Sequence, residues 1–187
     1  MDLDLRAVRE GDRVATVLRA YASLEVGGSV LVGLHDGDLD GVRDAFDVEH
    51  PGSHAWEALG PGRARVTKRA ATPLPRLLCE TDALAGEQAG ALWRLPMRER
   101  DLDANLVQLP PGGRIEPHVG ADLDVLVVVL AGSGVLTTEL DELEVRAGQL
   151  LWLPRGSRRG FWADRDGLRY LTVHQRRQGL GLVAARP

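Results

Sequence analysis

The sequence predicts an α+β protein in two parts: a two-layer βαβαββ domain, then an all-β sandwich or barrel. Three observations carry this. Residues 1–69 alternate apolar β-branched runs with apolar stripes at helical spacing. From Ala91 onward the apolar runs are short, and Gly or Pro punctuates most gaps between them. Between these stretches, residues 70–90 hold Pro73, Pro75, Gly86 and Gly90 and read as a connector. The expected organisation is therefore a first domain over 1–69, a linker over 70–90, a β domain over 91–178 and a tail over 179–187.

In the first domain, Leu3 and Leu5 alternate with acids in a short strand. Val14, Val17, Leu18, Tyr21 and Leu24 mark one face of a helix over residues 12–24. Asp12 is its expected N-cap, and Gly27-Gly28 ends it. Ser29 to Leu34 is a β-branched run, hence a strand. Asp38 or Asp40 can cap a second helix carrying Val42, Ala45 and Phe46, which Pro51-Gly52 stops. Residues 55–59 and 63–69 form two more strands around the turn Gly60-Pro61-Gly62. Closing this order as a small sheet puts both helices on one face. His35-Asp36 reads as a turn leading into the helix cap, and His50 and His54 read as exposed loop residues. Cys79, beside Leu77-Leu78, reads as a small buried apolar residue.

The second part reads as strands at 105–109, 115–118, 124–130, 135–138, 143–145, 149–153, 160–163 and 168–174. Gly132-Ser-Gly134, Gly148, Pro154-Arg-Gly156 and Asp166-Gly167 stand as turns between them, and Thr81 to Gln88 is a candidate short helix. The run Val125 to Leu130 is apolar on both faces. One face should fill the barrel and the other should pack on the first domain, the linker or a second subunit.

Composition narrows the function classes. The chain has 187 residues, 44% hydrophobic and 27% charged, which suits a folded domain and not a disordered one. No apolar run approaches the roughly 20 residues of a membrane span, so no membrane partner is expected. The start Met1-Asp2-Leu3-Asp4 lacks the basic and apolar regions of a secretory signal. A single cysteine fits a reducing compartment, so a cytoplasmic location is expected. The net charge of −4 and the lack of a helix-turn-helix signal argue against nucleic acid. Lys68 is the sole lysine, so individual arginines must be argued by position.

Residues 3–69 resemble an uncharacterised TusA/SirA-like domain family. The likeness rests on the order of elements, on Val30-Leu-Val-Gly-Leu-His35-Asp36, on Trp56 and on the closing Gly60-Pro-Gly-Arg-Ala-Arg-Val-Thr-Lys68. Sulfur carriers of that family have a Cys-Pro pair at the start of the first helix. Here Asp12-Arg13 stands there, so persulfide carriage, which needs a thiolate, is not expected.

Residues 91–177 resemble a cupin, a small jelly-roll barrel. In the first cupin motif, Gly112 is followed after five residues by His118, then Val119 and Gly120, three residues, Asp124, and later Gly132. In the second, Gly148, Pro154 and Gly156 are in register, and Arg159 occupies the place of the motif's histidine. The resemblance implies four inward ligands for one cation. Here the first is His118, the second is Gly120, the third is Asp124 in place of Glu, and the fourth is Arg159. A guanidinium has donors only, so it is not a ligand, and its charge repels a divalent ion.

Three readings of this pocket stay open. A metal can be held by His118, Asp124 and His174. Arg159 can pair with Asp124 or Asp122 in the volume a metal would fill. Or Arg159 can grip a carboxylate, phosphate or sulfur oxyanion of a ligand. The last two are compatible and favour a small polar or anionic metabolite, a sensor or binding module, and no cofactor. The expected ligand-binding residues are His118, Asp122, Asp124, Arg159, His174 and Trp152. The alternative is a metal-dependent oxygenase, isomerase or lyase holding one divalent transition metal (Fe, Mn, Ni or Zn). A homodimer through the β sheet is the expected assembly.

Overall fold

The chain is described here by a computed structural model covering residues 1–84, 86 and 89–176. It divides into two compact units, Met1–Leu77 with Met97–Glu99, and Leu78–Pro96 with Arg100 onward. The candidate helix over 81–88 and the tail over 179–187 fall partly or wholly outside the described residues. Thr81 to Ala83 form a turn. Cys79 is half-buried, not buried as its apolar neighbours suggested. Among the described residues no helix is long and apolar enough to cross a membrane.

The first unit runs β1 (Asp2–Asp4), α1 (Glu10–Ala22), β2 (Ser29–Gly33), α2 (Leu39–Glu49), β3 (His54–Gly60) and β4 (Arg63–Lys68). The sheet order is β1-β2-β4-β3, with β1 parallel to β2 and the other pairs antiparallel. A parallel pair needs a crossover, and α1 supplies it. Val30 pairs with Val66 and Val32 with Ala64, so one sheet face is apolar and buried. Val17, Leu18 and Tyr21 of α1 and Val42 and Phe46 of α2 join that face in one core.

Two helix-cap expectations are corrected. Helix α1 starts at Glu10 with Arg9 as N-cap, so Asp12 lies in its first turn, where its charge suits the helix dipole. Asp38 does stand at the N-cap of α2, but makes no capping bond. Its carboxylate instead accepts from Arg13 Nη1 at 2.7 Å, because a charged partner binds it more strongly than a backbone amide does.

His50 and His54 are also not loop residues in solvent. His54 is buried and His50 half-buried. The His50 ring lies 5.2 Å and the His54 ring 4.8 Å from that of Phe46, which meets Tyr21 edge-on at 4.8 Å. His54 Nδ1 donates to the His50 carbonyl at 2.7 Å, and Nε2 lies 3.0 Å from Asp47. The reason is that β3 begins at His54 with its first side chain turned toward Phe46, which a sequence pattern broken by Pro51-Gly52 hides.

The second unit holds β5 (Gly90–Arg94), β6 (Leu102–Leu109), β7 (Arg114–Val119), β8 (Val125–Thr137), β9 (Glu142–Arg146), β10 (Leu150–Leu153) and β11 (Arg158–Gln175). Its strands form two halves that share β8 and β11. In one half the order is β10-β8-β11-β6-β5. In the other, β9 pairs with residues 133–137 of β8 and β7 with residues 158–162 of β11. Phe161 of the second half stacks on Tyr170 of the first at 5.0 Å, so the halves face each other across one core.

Gly132-Ser-Gly134 and Asp166-Gly167 are therefore not turns between strands. They are the bends at which β8 and β11 pass from one half to the other. A Cβ at Gly132 would strike the Gly167 carbonyl, and one at Gly134 the Trp162 carbonyl. Glycine is required there by close backbone approach. The strand β5 was not foreseen at all. On the outer side of the first half, Leu126, Leu150 and Trp152 are exposed.

Two outcomes follow for the first unit. Phe46→Ala should cost about 3–5 kcal/mol, read as a lowered urea midpoint. Burial holds the His50 pKa below its ordinary 6.5, the neighbouring Glu49 pulling weakly the other way. The unfolded chain thus takes up a proton that the folded one resists, so stability is full above pH 6.5 and falls as pH drops below it. Amide exchange of β2 should be slower at pH 7.5 than at 5.5 after intrinsic-rate correction, and His50→Leu should flatten that difference.

Candidate functional site at the open end of the barrel

Backbone bonds gather the loops at one end of the second unit. Gly120 N–H donates to the Ser157 carbonyl and Gly156 N–H to that of Ala121, each at 2.9 Å. Arg155 N–H donates to Asp124 Oδ1 at 2.9 Å. Val125, at the start of β8, pairs with Leu153 on one side and His174 on the other. The β7–β8 loop, the β10–β11 loop and the end of β11 thus share one end of the barrel; Asp122, Asp124 and His174 lie on these segments, and His118, Trp152 and Arg159 lie on the strand ends that flank the two loops.

They do not converge on one point. Arg159 is 7% exposed. Its Nη1 donates to the carbonyls of Pro154 and Ser157, both at 3.2 Å, and to Ser157 Oγ at 3.1 Å. No carboxylate pairs with it among the described residues. Burial pulls its pKa down. The guanidinium rests against Gly120 so closely that a Cβ there would overlap it. His118 faces Arg159 in register but is exposed, its Nδ1 donating to the Glu116 carbonyl at 2.9 Å. Asp122 and Asp124 are exposed, and Asp124 also meets Arg155 Nε at 3.8 Å. Trp152 pairs with Leu126 on the outer face and is 63% exposed.

His174 belongs to a different wall. The register sets three rungs on the inner face of the first half: Ala91, Val107 and Tyr170; Arg94, Asn105 and Thr172; Asp103 and His174. The first rung is apolar apart from the Tyr170 hydroxyl, whose pKa burial raises to about 12. The two nearer the open end are polar. They line a cleft of about 490 Å³, closed at its edge by Leu95, Ala104 and Arg100.

The cleft's polar groups are distinct in chemistry. Asp103 is paired with Arg100, whose Nε donates to Oδ1 at 2.8 Å. Asn105 Nδ2 donates to Thr172 Oγ1 at 3.4 Å, and that hydroxyl to the Asn105 carbonyl at 3.3 Å. His174 Nδ1 donates to the Gln175 carbonyl at 3.0 Å, which leaves Nε2 of the neutral ring as an acceptor. The Arg94 side chain makes no hydrogen bond or ion pair among the described residues.

The sequence reading missed Arg94, Arg100, Asp103, Asn105 and Thr172. The period-2 pairs Asp103/Asn105 and Thr172/His174 were available as a signal of a polar inner face. Arg94 was not, because a register shift between Ala91 and Trp93 decides which way it points. Among the described residues no three His, Cys, Asp or Glu side chains gather as a ligand set.

No protein family matches the sequence, and no curated protein does. Solved structures do resemble the chain. A conserved protein of unknown function from Streptococcus pyogenes is 19% identical, with 57% of this chain and 92% of that one covered at a TM-score of 0.46. A cupin 2 conserved barrel domain protein from Salinispora arenicola is 18% identical over 54% and 87%, at 0.44. The polyketide cyclase RemF from Streptomyces resistomycificus is 21% identical over 54% and 80%, at 0.45.

The contact between Gly120 and Arg159 gives a stability test. Gly120→Ala should cost about 2 kcal/mol, since the displaced guanidinium loses charged hydrogen bonds worth roughly 1.5–3 kcal/mol each. In an Arg159→Ala background the same change should cost under about 1 kcal/mol. Urea denaturation of the four proteins completes the double-mutant cycle.

Proposed function

We propose that the second unit is a cupin-type barrel that binds a small polar or anionic metabolite directly, with no metal ion. Two of the four motif positions that hold a cation in metal-bearing cupins are taken by Gly120 and Arg159, which bring a fixed positive charge and no ligand atom. The reading rests on one observation above all. Among the described residues the cleft's only acid, Asp103, is matched by Arg100, while the Arg94 side chain has no partner. The described lining thus carries one uncompensated positive charge beside hydroxyl and amide groups. A cleft of about 490 Å³ suits a metabolite. Arg159, buried and without a carboxylate partner among the described residues, adds positive potential at the same end.

The test is a thermal-shift titration of the full chain with small organic acids, run with and without a chelator. A ligand at 100 times its Kd stabilises by about 2.7 kcal/mol. At least one acid should raise the Tm, the chelator should change nothing, and Arg94→Gln should remove the effect. Absence of any shift would count against binding. One equivalent of tightly held transition metal, lost on His118→Ala, would replace this reading with the metal-dependent enzyme.

A further inference from the structure

We infer that the ligand of this cleft is a hydroxycarboxylate: one carboxylate with hydroxyl groups on the carbons beside it. The inference rests on the binding reading above and names its ligand class. The three rungs stand about 7 Å apart along the strands, and neighbouring positions on a rung about 4.8 Å apart. Arg94, Asn105 and Thr172 therefore form a row, with Asp103 and His174 on the next rung toward the open end.

Each position asks for a particular partner. Arg94 presents a planar fork of donors with nothing bound to it among the described residues, which matches a carboxylate bidentately. Among the described residues it is the single uncompensated cation of the lining, so a monoanion neutralises it and a dianion such as phosphate overshoots it. Apart from the second Nδ2 proton of Asn105, the free sites named next are acceptors. Asn105 directs its Nδ2 to Thr172, leaving Oδ1. His174 spends Nδ1 on the Gln175 carbonyl, leaving Nε2. Asp103 keeps carboxylate lone pairs beyond its bonds to Arg100. Acceptors repel a second anionic group and leave an alkyl chain unmatched, whereas hydroxyls donate to them. The apolar rung of Ala91 and Val107 lies below and accepts the carbon backbone.

Matched pairs test this by calorimetry on the full chain at low salt: glycolate against acetate, glycerate against propionate, and gluconate against hexanoate. Sorbitol serves as the uncharged polyol and glycerol 1-phosphate as the dianion. At least one hydroxy acid should bind ten-fold or more tighter than its deoxy mate, than sorbitol and than the phosphate. Arg94→Gln should bring that acid down to the sorbitol level. Asn105→Leu should narrow the gap between hydroxy acid and deoxy mate at least three-fold. Equal binding within every pair, or tightest binding of the phosphate, overturns the ligand class and leaves anion binding standing. No binding by any probe removes both.

Discussion

Two long strands, β8 and β11, bend at one crossing with no side chain between them, and the architecture of the second unit depends on that approach. Gly132 and Gly134 face the carbonyls of Gly167 and Trp162 at a separation no Cβ tolerates. With the backbones this close, each strand continues from one half of the barrel into the other, and their pairing resumes past a register shift between Ala163 and Leu168. The halves then face each other over Val125, Val127, Val129, Leu136, Phe161 and Tyr170. The same bend returns the far ends of both halves to one place, so the β7–β8 loop, the β10–β11 loop and the end of β11 meet there.

What meets at that end is an arrangement of charge. Arg159 is buried without a counter-charge among the described residues, and three oxygens of the 154–157 turn hold one of its nitrogens. Neutral oxygens pay back only part of the cost of taking a guanidinium out of water. The empty side-chain volume at Gly120 is what lets it stay. On the facing wall, Arg94 stands over a row of amide, hydroxyl and imidazole groups, while Arg100 and Asp103 cancel one another. The end of the barrel is positive without a metal ligand set among the described residues.

Much of the fold was legible in the sequence, for definite reasons. In the first unit the order of elements follows from apolar spacing, since Val17, Leu18 and Tyr21 are close enough along a helix to share one face, and Val30 and Val32 alternate into the core. Where the reading failed, local chemistry lost to contacts distant in sequence. Asp38 gave its carboxylate to Arg13, 25 residues away, and not to its own helix. His54 was drawn into the Phe46 cluster. The glycines at 132, 134 and 167 looked like turn residues because a turn and a close crossing both need a missing side chain.

The candidate site divides along the same line. The sequence by itself determined that an imidazole, a glycine, an aspartate and an arginine stand at 118, 120, 124 and 159, and so that a guanidinium replaces a potential ligand. It also determined the alternation that puts Thr172 and His174 on one face. Only the tertiary structure decided that Arg159 lies against Gly120 with no carboxylate partner among the described residues, that Trp152 faces outward, and that Arg94 lines a cleft with Asn105 and Thr172. Residue chemistry is fixed by covalent identity, position by position. Which groups meet depends on strand register, and the one-residue slip between Ala91 and Trp93 that turns Arg94 inward is set by the pairing of β5 with β6, not by the sequence around it.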